Sequence, residues 1–255
     1  VARRHAGIED CILPWPDDAM NLPRLIRLHW MAHALQSLVD SSLEYENYCM
    51  QIREARIRAE RHLARCREAS EQDWILYGAI GRARAACHEY AAAEKRLRQA
   101  VFGWFSVLRE AEASIPLCEW MRVLALQKRP QFLRRVLRRS VARVLLHPGT
   151  SPVSRAYVHL AAGRALTLVN ECGRARDFLD SPEIEWSRTP AEVQASRLRW
   201  LARASDPLDP EKADAVRAQL ASLNAQYASP LTDVMHLLSQ LDAALRDGRD
   251  PAPHL

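Results

Sequence analysis

Two histidines one helical turn apart, His29 and His33 in "HWMAH", are the nearest approach in this 255-residue chain to a metal-binding motif. Zinc peptidases hold two histidines at this spacing on one helix face, with a general-base glutamate between them. The glutamate position is taken by Trp30 and no third ligand is evident, so no metal site is expected. One histidine should instead be buried and hydrogen-bonded, the other exposed. Cysteine chemistry is equally unsupported. Cys11, Cys49, Cys66, Cys87, Cys118 and Cys172 include no two within four residues of each other, which removes zinc-knuckle and redox spacings. Their helical, apolar surroundings suit free thiols packed as small hydrophobes in a reducing cytoplasm. No glycine loop cradles a phosphate, and no serine sits in a nucleophile elbow. The expectation is a non-enzymatic protein with no cofactor and no metal.

The remaining chemistry is cationic. Lysine occurs only at Lys128, Lys95 and Lys212, so 33 of the 36 basic residues are arginine. Arginine suits bidentate contact with carboxylate or phosphate, although a GC-rich coding bias gives the same composition and points to a bacterial source. The densest cluster is "KRPQFLRRVLRRSVAR", with Lys128, Arg129, Arg134, Arg135, Arg138, Arg139 and Arg143. Phe132, Leu133, Val136, Leu137, Val144 and Leu145 form the apolar face of the same helix. A basic amphipathic helix can meet nucleic acid, an acidic protein or an anionic membrane. The competing reading is the outer face of a packed helix, its arginines partly paired to acidic neighbours. Phe132 alone is available nearby for base stacking, and no nucleic-acid fold signature accompanies it.

The elements that would position these residues read as helices. Eight glycines are few for a sheet protein, whose tight turns draw on them. Pro14, Pro16 and Pro23 mark an extended segment over 1–23. Helical periodicity then runs through "LIRLHWMAHALQSLV", "YENYCMQIREARIRAERHLARC", "DWILYGAIGRARAACH", "YAAAEKRLRQAVFGWFSVLREA", "PLCEWMRVLALQ" and "FLRRVLRRSVARVLL". The turn "HPGTSP" at 147–152 is the strongest in the chain and the expected place for a bend. Beyond it come "VSRAYVHLAAGRALTLVN", "RARDFL", "PAEVQASRLRWLARA", "DPEKADAVRAQLASLNAQY" and "PLTDVMHLLSQLDAALRDG". Asp209-Pro210 supplies an N-cap followed by proline in the first helical position. About ten helices and no strand predict an all-α fold, with one helical domain over 24–247 and a disordered tail over 248–255. No stretch reaches 18 uninterrupted apolar residues, so no membrane span is expected. The chain starts at Val1 without a signal-peptide core, which leaves open whether it is a fragment of a longer protein.

One spacing organises the helices. Counted from Trp74, Tyr77 stands at position 4, Gly81 at 8, Tyr90 at 17, Ala93 at 20, Leu97 at 24 and Ala100 at 27. This pattern resembles the tetratricopeptide repeat, a helix–turn–helix unit in which small residues let two helices cross closely. A second unit laid from Ala156 has Gly163, Ala175 and Leu179 in register. It departs from the family pattern at His159, at Cys172 and where Pro182 truncates its second helix. The separation of Gly81 and Gly163 is not a multiple of the family's unit length, and fits two units of about 40 residues.

The resemblance implies antiparallel helical hairpins stacked as a right-handed superhelix, with the first helix of each pair facing a groove. The groove positions become Ile75, Gly78 and Arg82 in the first unit, and Tyr157, Leu160 and Arg164 in the second. Its partner would be a protein or peptide of acidic character, held by the arginines with apolar area beside them. The solvated-surface reading of both arginines stands beside this one. The implied role is a cytoplasmic scaffold, or the sensor part of a larger regulator similar to maltose-regulon activators, or a secretion-related adaptor. Nucleic-acid binding through residues 128–143 is the alternative.

Overall fold

The computed structural model describes residues 56–57, 59–61, 71–227 and 229–247. The extended segment 1–23, the "HWMAH" pair, Cys11, Cys49, Cys66 and the tail 248–255 lie outside these residues. Everything regular among the described residues is helical, and none is in a strand. The helices are α1 (Glu71–Ala86), α2 (Tyr90–Ser106), α3 (Ser114–Leu126), α4 (Pro130–Val136), α5 (Ala142–Leu146), α6 (Pro152–Leu168), α7 (Cys172–Leu179), α8 (Ala191–Ser205), α9 (Pro210–Gln226) and α10 (Pro230–Arg246). Short 3₁₀ turns occupy Glu110–Ala113 and Trp186–Arg188, and a π turn, Leu137–Val141, joins α4 to α5. The chain divides into two compact units, residues 1–123 and 124–255, with the boundary inside α3. The 147–152 turn falls within the second unit.

Proline starts four of these helices for a local reason. Pro130, Pro152, Pro210 and Pro230 each stand in the first turn, where a missing N–H is no loss and the fixed φ is already helical. Three of the four are preceded by a capping side chain. Ser151 accepts from the Ser154 N–H, Asp209 from the Lys212 N–H, and Ser229 forms a reciprocal box with Thr232.

The helix ends are made differently. His88, Leu108, Lys128 and Asn170 all adopt left-handed backbone, with φ between 54° and 62°. At each, the following N–H reaches back to the carbonyl five positions earlier: Glu89 to Arg84, Arg109 to Trp104, Arg129 to Leu124 and Glu171 to Leu166, all at 2.9–3.0 Å. This is the Schellman closure, which satisfies carbonyls left open by the last helical turn. None of the four is glycine; His88, Leu108 and Lys128 each carry a left-handed strain of about 1–2 kcal/mol, while the short polar side chain of Asn170 eases it. The closure at Leu108 ends α2 at Ser106, where the residue pattern alone continues the helix through Ala111. That pattern also misses the π turn, and α3 starts at Ser114, ahead of Pro116.

Two hairpins, one in each unit, share a single packing device. A Cβ built on Gly81 would lie 2.6 Å from Leu97 Cγ, and one on Gly163 would overlap Leu179 Cγ. Each leucine follows its glycine at the same offset, and both are fully buried. The backbone of the first helix is therefore in contact with the side chain of the second, an approach open to no residue with a Cβ. Buried Ala83 and Ala93 flank the first crossing, and buried Ala165 and Ala175 hold the same positions in the second. Gly163→Ala should lower stability by about 1–2 kcal/mol, as overpacking outweighs the gain in helix propensity. Gly173→Ala, where a Cβ meets nothing within 4 Å, should raise it by about 0.5–1 kcal/mol. Urea denaturation of the two variants checks the pair of opposite signs.

Candidate functional site

The first-helix positions differ in how far they reach solvent. On α1, Ile75 and Arg82 are two turns apart, hence on one side of the helix, and both are half-buried. Gly78, between them, is closed off by Pro116 and Ala100, whose Cβ atoms would stand 3.7 and 3.8 Å from a Cβ there. On α6, Tyr157 and Arg164 are exposed. Leu160 is partly buried and packs on the cluster of Ala156, Trp186 and Val193. Thus Tyr157 and Arg164 present accessible chemistry, while Leu160 and Gly78 serve packing.

Arg164 is part of a larger arrangement that sequence spacing did not reveal. Its guanidinium carbon lies 5.3 Å from the centre of the Trp200 ring on α8, joined by Arg199 at 4.9 Å and Arg203 at 5.5 Å. Arg199 and Arg203 both donate to the Asp242 carboxylate of α10, at 3.3 and 3.4 Å. Trp200 is only 5% exposed, so three cations surround one desolvated indole. Burial pushes the Arg199 pKa down, with Asp242 opposing it. Arg164 is exposed.

A second missed feature is a pair of ion contacts at matching hairpin turns. Glu89 and Glu171, separated by the same interval as the two crossing glycines, each follow the left-handed residue and precede a second helix. Glu89 accepts from Arg56 in the preceding helical segment and from Arg84. Glu171 accepts from Arg134 of α4 at 2.8 Å and from Arg174 at 2.9 Å. In both units an arginine from an upstream helical segment is tied to the hairpin turn. The signal in the sequence is the shared string Gly-Arg-Ala, four residues, His or Asn, then Glu. Only its glycine, arginine and alanine members were informative without coordinates.

The basic helix is resolved into individual roles. Lys128 Nζ donates to the Leu168 carbonyl at 3.0 Å. Arg129 and Arg135 lie over the half-exposed Phe132 ring, at 4.1 and 5.2 Å from its centre. Arg134 is committed to Glu171. Arg138, Arg139 and Arg143 are exposed, the first two on the π turn.

No group of histidine, cysteine and carboxylate side chains able to hold a metal occurs among the described residues. Cys87, Cys118 and Cys172 are free thiols. Burial pushes the Cys118 thiol up to about 12, which keeps it protonated and unreactive at neutral pH. No helix among the described residues is long and apolar enough to cross a membrane.

His159 holds the place in the second unit that Tyr77 holds in the first, and fills it differently. Tyr77 stacks on Trp74 and lies under Arg96. His159 is buried, its Nδ1 within 3.3 Å of the Phe178 carbonyl and its ring edge-on to Phe178. Burial holds its pKa below the ordinary histidine value. The unfolded chain therefore takes up the proton first, and stability falls as pH drops below about 6.5 toward the folded value. The slope is at most about 1.4 kcal/mol per pH unit. Thermal melts between about pH 7 and pH 5 should show a steeper decline for the native chain than for His159→Phe.

Family models, curated proteins and solved structures contain no match to this chain.

Proposed function

We propose that the chain is a non-enzymatic scaffold of stacked helical hairpins, similar to tetratricopeptide repeats, which binds another protein or peptide of acidic character. The observation carrying this reading is the recurrence, at one constant interval, of a single hairpin device: glycine crossing, arginine, left-handed turn, glutamate and buried leucine. A fold built from repeated units brings the same register position back in each unit, and at that position stand Arg82, half-buried, and Arg164, exposed. Arginine meets a carboxylate with bidentate geometry, and neighbouring apolar groups add area. Tyr157 on the same helix as Arg164 supplies that area in the second unit. In the first, Phe102, Val107, Leu108 and Ile115 are exposed apolar side chains of the kind that protein interfaces cover. The same reading makes the chain a candidate sensor segment of a larger bacterial regulator, or a secretion-related adaptor.

The test is affinity capture from nuclease-treated cell lysate, with Arg82→Ala/Arg164→Ala compared against the native chain. A specific protein retained by the native chain should be lost at least about tenfold by the double variant, since each charged contact contributes about 1.5–3 kcal/mol. The melting temperature should change little. Equal retention by a folded double variant would refute the arginine face, and capture that vanishes with nuclease would refute protein binding.

A further inference from the structure

The cations of this chain are not evenly matched. Residues 120–170 contain ten lysines and arginines and no aspartate or glutamate. The whole chain carries +5, from 36 basic and 31 acidic residues, so the other residues hold 26 basic and 31 acidic groups and are net −5. One continuous block thus supplies all of the positive excess.

Outside that block, many arginines find carboxylates within the fold, although Arg98 and Arg176 find none among the described residues. Arg84 bridges Glu60 and Glu89, and Arg197 pairs with Asp180. Arg217 and Arg246 share Asp206 and Asp214. Inside it, Arg122 pairs with Glu119 and Arg134 reaches across to Glu171. Arg138 and Arg139 have no hydrogen bond or ion pair among the described residues, and Arg135 is engaged only with the Phe132 ring. All three are exposed, and they line a surface depression of about 310 Å³.

The backbone beneath them is unusual in the same place. The π turn at Leu137–Val141 carries Arg138 and Arg139, with Leu137, Ser140 and Val141 buried on its other side. A π turn widens the helix at a cost in hydrogen-bond geometry, and such turns recur at functional sites. Adjacent guanidinium groups without a counter-charge also repel one another. Three neighbouring cations kept together at this cost, within a block that holds no carboxylate, indicate a counter-charge from outside.

We propose that the Arg135–Arg138–Arg139 face is a nucleic-acid site that takes backbone phosphates. Charge complementarity favours a phosphodiester backbone, whose regularly spaced charges match a block with ten cations and no carboxylate. The guanidinium forks match phosphate oxygens bidentately. The half-exposed Phe132 ring lies under the Arg129 and Arg135 guanidinium groups and holds them beside the site. The site is independent of the first-helix face and stands or falls separately from it.

The experiment is fluorescence anisotropy on the full chain, with a labelled single-stranded DNA, its duplex and an RNA of the same sequence, over a salt series. Nucleic acid should bind, with log affinity falling linearly against log salt. Arg135→Gln/Arg138→Gln/Arg139→Gln should weaken binding roughly tenfold or more near 0.1 M salt and make the slope shallower by about 2–3. The corresponding triple lysine variant should keep the native slope. Stronger binding of the single strands would mean that a base displaces an arginine from Phe132, and stronger duplex binding would assign the face to phosphates alone. An unchanged slope in a triple glutamine variant with the native circular dichroism spectrum would overturn the proposal. So would absence of binding to all three probes, or displacement of the DNA by poly-glutamate at equal charge, which would transfer the face to an acidic protein.

Discussion

The contact between a glycine backbone and a leucine side chain sets the geometry of the two hairpins on which the rest of the structure depends. At Gly81 and at Gly163 the second helix comes so close that a single Cβ would collide with Leu97 or Leu179. Both leucines are thereby removed from water, each contributing on the order of 2 kcal/mol of transfer free energy. The helix hand-over follows from the same approach. With the helices this near, the chain reverses in a short link, and the left-handed residue with its five-back hydrogen bond accomplishes it. His88 and Asn170 do this at the matching place in the two units. Asparagine tolerates this backbone through its short polar side chain, whereas histidine at the same position accepts more of the strain.

Electrostatics then orders what packing has placed. Glutamate follows the left-handed residue in both hairpins, and each glutamate draws an arginine from an upstream helical segment. Such pairs contribute little individually at a surface, about 0–1 kcal/mol, so their value is in selecting which helix lies beside which turn. The Trp200 cluster works by different physics. A desolvated indole attracts three guanidinium groups, and Asp242 fixes two of them, while Arg164 stands at the surface. In both places arginine is chosen for geometry rather than charge alone. A lysine at Arg199 would keep the charge and lose the planar contact.

Much of this was legible in the residues. The helical periods, the proline starts and the Asp209 cap are local, and local chemistry is written in adjacent positions. The glycine and leucine spacing was legible too, because close approach leaves a residue-type signature at a fixed offset. Less visible was whatever depends on distant partners. Nothing near Leu108 marks a left-handed helix end, since its backbone is set by closure and not by its own preference. The π turn has no residue code, as Leu137-Arg138-Arg139-Ser140-Val141 would continue an α-helix equally well. The Trp200 cluster joins α6, α8 and α10, and no spacing along the chain connects Arg164 to Arg199 or Asp242. Groove position likewise carried no burial information: Leu160 is held by Trp186 and Val193, which belong to later elements.

Whether the glycine crossing organises the hairpin is tested most directly by a double-mutant cycle between Gly163 and Leu179. Denaturant unfolding of Gly163→Ala, Leu179→Ala and the double variant yields the coupling between the two sites. If the backbone of Gly163 rests on the Leu179 side chain, shortening the leucine makes room for the new methyl group. The two losses should then fall short of additivity by about 1 kcal/mol or more. Additive losses within about 0.3–0.5 kcal/mol would mean that the two groups do not meet, and would contradict the crossing.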